Sequence, residues 1–429
     1  MISFIIFLVS LLYYPKKINH IFEGNCCYNM EIFAPSVSKD NSPSSDNEQK
    51  VQTAIDSVRR ALSETLGIDY PYMNVLIQTP AEKIFVSSAA NGNPPLTADT
   101  YFRFASNTKN FTAVAILNMY QDGWLDYKAK ITDVIPGSNI PYVPATPEWD
   151  FSYKDDITIE QLMQHSAGVF DVDNDIVPGY DGETYTDYVM KSDPMHQFTT
   201  DEMVNVLTQN KELVYFPPGK GYHYSNTGYS ILAKIIARVY SFRAGTDKTY
   251  QDYMENFIVG GSSPLPINEI HFPVLATDDA MPDPHVQGAF LLPGDKMEWF
   301  DKYNITAQIG EGNGYGTMNA VNTYIRSLMK GENVLKPSTV KLMQTDVCVH
   351  YPASALGCRY DINLGYGHNG ARIGYLSKMA YDAEHDISVV SMVTLWDLRN
   401  DSKSLVLCLN SIVDAAYAAR SALGYPGKP

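Results

Sequence analysis

Phe104-Ala105-Ser106-Asn107-Thr108-Lys109, followed by the apolar-rich run Asn110 to Asp122 and closed by Gly123, is the stretch from which the rest of this 429-residue chain can be read. It holds a Ser-x-x-Lys. The run after it predicts a helix with Gly123 as its C-terminal stop, and Ser106 falls at or just inside the helix start. Side chains three apart lie on one helical face, so Lys109 can reach back to the Ser106 hydroxyl. A helix N-terminus also favours developing negative charge. A lysine held in apolar surroundings can lose its charge and serve as the base that a weakly nucleophilic serine needs. Ser-x-x-Lys alone is common on solvated helix surfaces. Here Phe102, Phe104, Ala105, Phe111, Val114, Ala115, Ile116, Leu117 and Met119 make the segment apolar nearly all round, which marks a buried helix. A lysine there needs a reason.

The composition is that of a globular protein, with 45% hydrophobic and 19% charged residues, and the length allows a substantial core. A net charge of −16 argues against nucleic acid as a partner, because neutralising phosphates needs a basic surface. The 30 tyrosines suit an aromatic-lined cleft, although tyrosine also covers ordinary core edges. Five cysteines (Cys26, Cys27, Cys348, Cys358 and Cys408) show neither a disulfide framework nor metal-ligand spacing. Cys348 and Cys358 flank a short loop and could pair in an oxidising compartment, whereas Cys408 reads as buried.

Met1 to Tyr14 is an apolar run short for a membrane span. It has the length of a signal peptide, which would make the protein secreted or periplasmic, but lacks a preceding basic residue and a small-x-small cleavage site. Initiation at Met30 is the alternative, and membrane association stays open. Pro35 to Asn47 reads as a polar linker, so residues 1–47 are expected to be peripheral and residues 48–429 to form the folded domain.

Val51, Ala54, Ile55, Val58, Ala61, Leu62 and Leu66 predict an amphipathic helix ending at Gly67. Met73 to Gln78 and Lys83 to Ser88 predict a strand pair. Thr158-Ile159-Glu160-Gln161 is a capping-box pattern opening a short helix that runs to His165, itself read as structural. The acidic run Asp171-Val172-Asp173-Asn174-Asp175 invites a calcium reading, but Ile176 and Gly182 stand where that loop needs Gly and Glu; a solvated loop is expected and no metal site is assigned. Tyr224-Ser225-Asn226 precedes an apolar helix and offers a phenol for proton transfer and a carboxamide for a substrate amide. Residues 240–310 show no readable pattern. Gly310-Glu311-Gly312-Asn313-Gly314-Tyr315-Gly316 is read as a flexible turn instead of a phosphate loop, since no Gly-Lys-Ser/Thr follows. A helix from Asn319 to Lys330, three antiparallel strands from Leu364 to Leu395 and a helix from Ser402 to Leu423 complete the chain. Two terminal helices with one apolar face each call for a sheet to pack against, built from the early hairpin and the late strands, with both helices on one of its faces.

Ser106-x-x-Lys109, Tyr224-x-Asn226 and His368-x-Gly370, in that order and with their flanks, resemble the serine β-lactamase and penicillin-binding superfamily. Within it they are similar to the branch holding class C β-lactamases, D-alanyl-D-alanine carboxypeptidases and D-aminopeptidases. The resemblance runs from about Val51 to Leu423. It implies an α+β fold: an antiparallel sheet flanked by the N- and C-terminal helices, with a mainly helical region inserted. By the same likeness Ser106 would be the acylated nucleophile, Lys109 its proton acceptor, Tyr224 the proton donor to the leaving group and Asn226 the holder of the substrate amide. The backbone N–H groups of Ser106 and Ala371 would form the oxyanion hole, each donor worth about 3–4 kcal/mol. His368 and Gly370 would line the far wall. Class C enzymes usually carry Lys-Thr-Gly where this chain has His368-Asn369-Gly370, which puts efficient β-lactam hydrolysis in doubt; Arg372 could supply the missing charge. The resemblance implies no cofactor, and as substrate a small molecule or D-amino-acid-containing peptide, including peptidoglycan fragments, with an esterase, a β-lactamase and a non-catalytic sensor as the alternatives.

Overall fold

The computed structural model describes residues 45–400 and 403–429. The apolar N-terminal run, the linker as far as residue 44, Cys26 and Cys27 lie outside them. Helix α1 (Asp46–Leu66) is capped by Ser45, whose side chain accepts from the Glu48 N–H, and it ends at Gly67 in the left-handed region (φ 69°). Its apolar stripe Val51, Ile55, Leu62 and Leu66 is buried. The hairpin β1 (Tyr72–Gln78) and β2 (Lys83–Ala89) follows, then β3 (Tyr101–Arg103) and α2 (Thr108–Gln121). The inserted region holds α3 (Ile159–Met163), α4 (Tyr185–Ser192), α5 (Thr200–Gln209) and α6 (Asn226–Ala244). Next come β4 (Gly288–Leu292), β5 (Lys296–Phe300), β6 (Tyr315–Thr317), α7 (Met318–Lys330) and α8 (Pro337–Thr345). The chain closes with β7 (Arg359–Asp361), β8 (Gly365–Arg372), β9 (Tyr375–Asp382), β10 (Ile387–Val393), β11 (Leu395–Asp397) and α9 (Lys403–Ala422).

The main sheet is antiparallel in the order β2-β1-β10-β9-β8-β7. Pairing Val75 with Ser391 and Ile77 with Val389 joins the two ends of the chain in one layer. Alternation along the central strands sorts their side chains between two cores. Met73, Val75, Ile77, Val389 and Val393 pack with α1 and α9, while Leu76, Val390 and Met392 join the core of the helical region. With both faces covered, polar residues in β10 need internal partners. The Ser391 hydroxyl donates to the Ile412 carbonyl (2.6 Å) and the Ser388 hydroxyl to Asn322 Oδ1 (2.8 Å).

Four expectations change. Helix α3 opens with the expected capping box but ends at Met163, because His165 takes up a left-handed conformation (φ 58°). The segment without a readable pattern contains β4, an apolar run buried from end to end and so without alternation, which pairs in parallel with β11. Residues 310–316 are not a flexible turn: Gly310, Gly314 and Gly316 allow close packing. A β-carbon on Gly314 would stand 2.2 Å from the Phe104 ring. Cys348, Cys358 and Cys408 are free, buried thiols. Among the described residues no helix is long and apolar enough to cross a membrane.

Candidate active site

Strand β3 delivers the chain into a tight 3₁₀ turn, Ala105–Asn107, from which α2 departs. The serine therefore sits one turn ahead of the α-helix proper, and Ala105 before it is held at φ 51°, an uncommon conformation for a residue with a β-carbon. Strand β8 lies across this turn. A β-carbon at Gly370 would approach the Phe104 carbonyl oxygen to 2.1 Å, so glycine is what allows the contact. Ser377 locks it: its hydroxyl donates to the Phe104 carbonyl (3.0 Å) and accepts from Asn107 Nδ2 (2.8 Å). Strand β7 pairs with β8 only at Gly365 to Gly367, and His368, Gly370, Ala371 and Arg372 follow beyond that pairing.

Lys109, fully buried, donates to Ser106 Oγ (3.2 Å), to the Glu311 carbonyl (2.8 Å) and to Glu311 Oε2 (2.9 Å). Its ammonium lies 4.8 Å from the centre of the Tyr224 ring. Burial lowers the Lys109 pKa although Glu311 opposes the shift, and burial pushes Glu311 up to about 7 against the pull of Lys109. Tyr224 is held well above the usual phenol range by burial, with Glu311 and Asp171 adding to it and a hydrogen bond with Ser106 opposing. The chemistry divides accordingly: a desolvated amine suited to take a proton and a neutral phenol suited to give one.

His165, read from sequence as structural, supports the phenol. Its ring stacks on Tyr224 with centroids 4.2 Å apart, and its Nδ1 accepts from the Ser225 N–H (3.1 Å). Burial keeps it neutral. His368 Nδ1 lies 2.6 Å from the Asn369 carbonyl, which can only accept, so Nδ1 carries the proton. Burial, with the Lys109 charge, lowers the His368 pKa to about 3 and leaves that wall uncharged at neutral pH. A cavity of about 80 Å³ opens beside it, lined by His165, Tyr222, Tyr224, His368 and Gly370 among others.

Asp171 and Asp173, in the acidic run expected in solvent, are buried here. Asp173 Oδ1 accepts from Thr186 (2.7 Å) and Gln308 (3.1 Å), and Oδ2 from Asn226 Nδ2 (3.1 Å) and Arg372 Nη1 (3.2 Å). The structure thus brings Arg372 to an internal carboxylate. Asp171 accepts from the Asn226 N–H (2.8 Å), and burial with the neighbouring Asp173 pushes it up to about 8. Asn226 Oδ1 is buried with no hydrogen-bond partner among the described residues.

The profile of the family described as Beta-lactamase matches residues 69–404. The chain belongs to the beta-lactamase family. Penicillin-binding protein 4* of Bacillus subtilis is 26% identical over 204 residues, 46% of this chain and 38% of that protein; the chain covers well under two thirds of this relative's length. Among solved structures, a D-amino acid amidase from Ochrobactrum anthropi complexed with D-phenylalanine superposes with TM-score 0.67 at 19% identity, over 89% of this chain and 99% of that one. A D-stereospecific amidohydrolase from Streptomyces superposes with TM-score 0.63 at 20% identity, over 84% and 97%. At such identities the likeness carries the fold.

Within this beta-lactamase-family site, sequence reasoning missed Glu311, Asp171, Asp173 and His165. For Glu311 the missed signal was glycine density. Gly310 (φ 82°) has Ala233 Cβ only 2.5 Å from where its own β-carbon would be, and Gly314 has Phe104; glycines spaced for backbone approach look in sequence like glycines spaced for flexibility.

Proposed function

We propose that this chain is a serine hydrolase that cleaves an amide bond of a D-amino-acid amide or short D-peptide, peptidoglycan fragments included, through an acyl-enzyme on Ser106. The observation that carries the reading is the contact of Ser106 Oγ with a fully buried lysine amine, beside a neutral phenol. Lys109 takes the serine proton as Oγ attacks the carbonyl carbon. Tyr224 protonates the departing nitrogen as the C–N bond breaks, and water then releases the acid by the same steps in reverse order. The N–H groups of Ser106 and Ala371 receive the oxyanion, and Asn226 Oδ1 accepts an N–H of the substrate. Gly370 keeps β8 against the serine turn.

The substrate end follows from charge. His368 is neutral, and Arg372 is engaged by Asp173. Lys109 faces Glu311, and Lys378, behind the wall, faces Asp361. Each of these cations already has its carboxylate, which favours a neutral amide terminus over a free carboxylate or a penicillin. The likeness to the D-amino acid amidase supports the same choice.

D-Phenylalanine amide, D-alanyl-D-alanine and a penicillin would be compared on wild type and Ser106→Ala, following product release and intact mass. The amide should turn over fastest, the dipeptide and penicillin slowly, and Ser106→Ala should be inert. Full turnover by Ser106→Ala would overturn the reading. Turnover of short acyl esters without amides would make the chain an esterase on the same scaffold, and no turnover or adduct of any kind would leave a binding module.

A further inference from the structure

We propose that Glu311 is the third member of a Ser106, Lys109, Glu311 relay: a positioning residue that holds the Lys109 amine on the serine hydroxyl and stabilises the ammonium formed when Lys109 takes the serine proton. The inference rests on the acyl-enzyme reading above. Glu311 grips Lys109 twice, through its backbone carbonyl at 2.8 Å and its carboxylate at 2.9 Å. Two of the amine's three hydrogen-bonding directions are therefore fixed by one residue, and the third points to Ser106 Oγ at 3.2 Å.

Glu311 is itself immobilised. The Glu311 and Gly312 N–H groups both donate to the Gln308 carbonyl, Asn313 Oδ1 accepts from the Gly310 N–H, and Gly310 and Gly314 are wedged against Ala233 and Phe104. A carboxylate kept only for packing would have both oxygens satisfied. Here Oε1 is buried with no hydrogen-bond partner among the described residues, so the carboxylate is retained at a cost in desolvation. What that charge accomplishes is opposition to a cation. During attack the serine proton moves from Oγ to Nζ, Nζ becomes positive, and the carbonyl oxygen becomes negative; Glu311 sits 2.9 Å from the new cation and lowers the energy of that state selectively.

The other groups that act on Lys109 come from the acidic loop, Asp171 and Asp173; the Tyr224 and Tyr229 rings lie 4.8 and 5.6 Å away. Arg372 acts on Glu311 from β8, and His165 and His368 feel the Lys109 charge. Of these groups Tyr224 also feels the Glu311 charge, so its titration, on the basic side of the profile, moves separately from the acid limb.

The test is the pH dependence of kcat/KM for a nitrophenyl ester, whose acid limb reports the titration of the Lys109 and Glu311 pair in the free enzyme and of Lys109 alone once Glu311 is replaced. Glu311→Gln removes the charge that favours the ammonium, so the acid limb moves to lower pH while the plateau falls on the order of 10²-fold, the base being weaker and its cation unsupported. Glu311→Asp keeps a carboxylate farther back, with a smaller limb shift and an intermediate plateau. A Glu311→Gln limb that stays in place overturns the proposal even if the rate drops, because a merely structural residue would lower the plateau alone. Should Glu311→Gln fail to fold, Glu311→Asp carries the same decision: a limb moved to lower pH supports the relay, and an unmoved limb overturns it. Ser106→Ala run alongside separates the levels, since ester turnover surviving in it would defeat the acyl-enzyme reading itself.

Discussion

Asp173 is the residue with the most to organise. Its two oxygens accept from Thr186, Gln308, Asn226 and Arg372, side chains contributed by four separate stretches of chain around the substrate side of the site. Removing one partner of a buried ion pair strands the other charge, which typically costs about 3–5 kcal/mol. Asp173→Ala should reach that range, because it orphans three further donors as well. Arg372→Met should cost less, since Asp173 keeps its other partners. Urea unfolding of the two variants checks the order, and equal losses would show that the guanidinium is the main support of this cluster.

Among the elements, β8 and the turn before α2 decide whether the site exists. They meet where Gly370 faces the Phe104 carbonyl and where Ser377 ties the two together. Gly370→Ala inserts a methyl where 2.1 Å is available, so β8 must retreat from the serine. Overpacking of this kind costs about 1–3 kcal/mol in stability. A displacement near 1 Å at the reacting atoms costs about 10²-fold in rate. The expected signature is a folded protein with a modest fall in Tm and most of its activity gone, measured by calorimetry beside amide turnover. Helix α3 offers a control at the same scale. Thr158→Ala removes half of its capping box and should cost about 1 kcal/mol with little effect on kcat, because the cap lies ahead of the helix that leads to His165.

At the scale of the molecule, β1 pairing with β10 makes the two ends of the chain one layer, and α1 and α9 close the same core over it. Of the three described cysteines Cys408 belongs to this core and Cys358 to the core of the helical region, and Cys348 is buried as well. Burial pushes the Cys358 and Cys408 thiols up to about 12, and Cys348 is equally hidden. Peptide-level alkylation without reductant should leave all three unmodified in the native protein and label all three once it is denatured. A Cys348–Cys358 disulfide in the denatured digest would contradict the structure.

The sequence by itself determined several local elements: the stripe on α1, the alternation of the hairpin, the capping box and the all-apolar helix that brings Lys109 back to Ser106, whereas the α+β class and the place of Tyr224 came from the resemblance. The local signals lie within one turn or one strand pair, where periodicity and short spacing act directly. The tertiary structure alone decided the environment of charge. Asp171, Asp173 and Glu311 read as solvated loop residues because a carboxylate among glycines and polar neighbours ordinarily faces water. Only long-range packing, with Glu311 against α2 and Asp173 against Arg372 of β8, puts them in the interior, where partners distant in sequence make their burial tolerable and their charge effective.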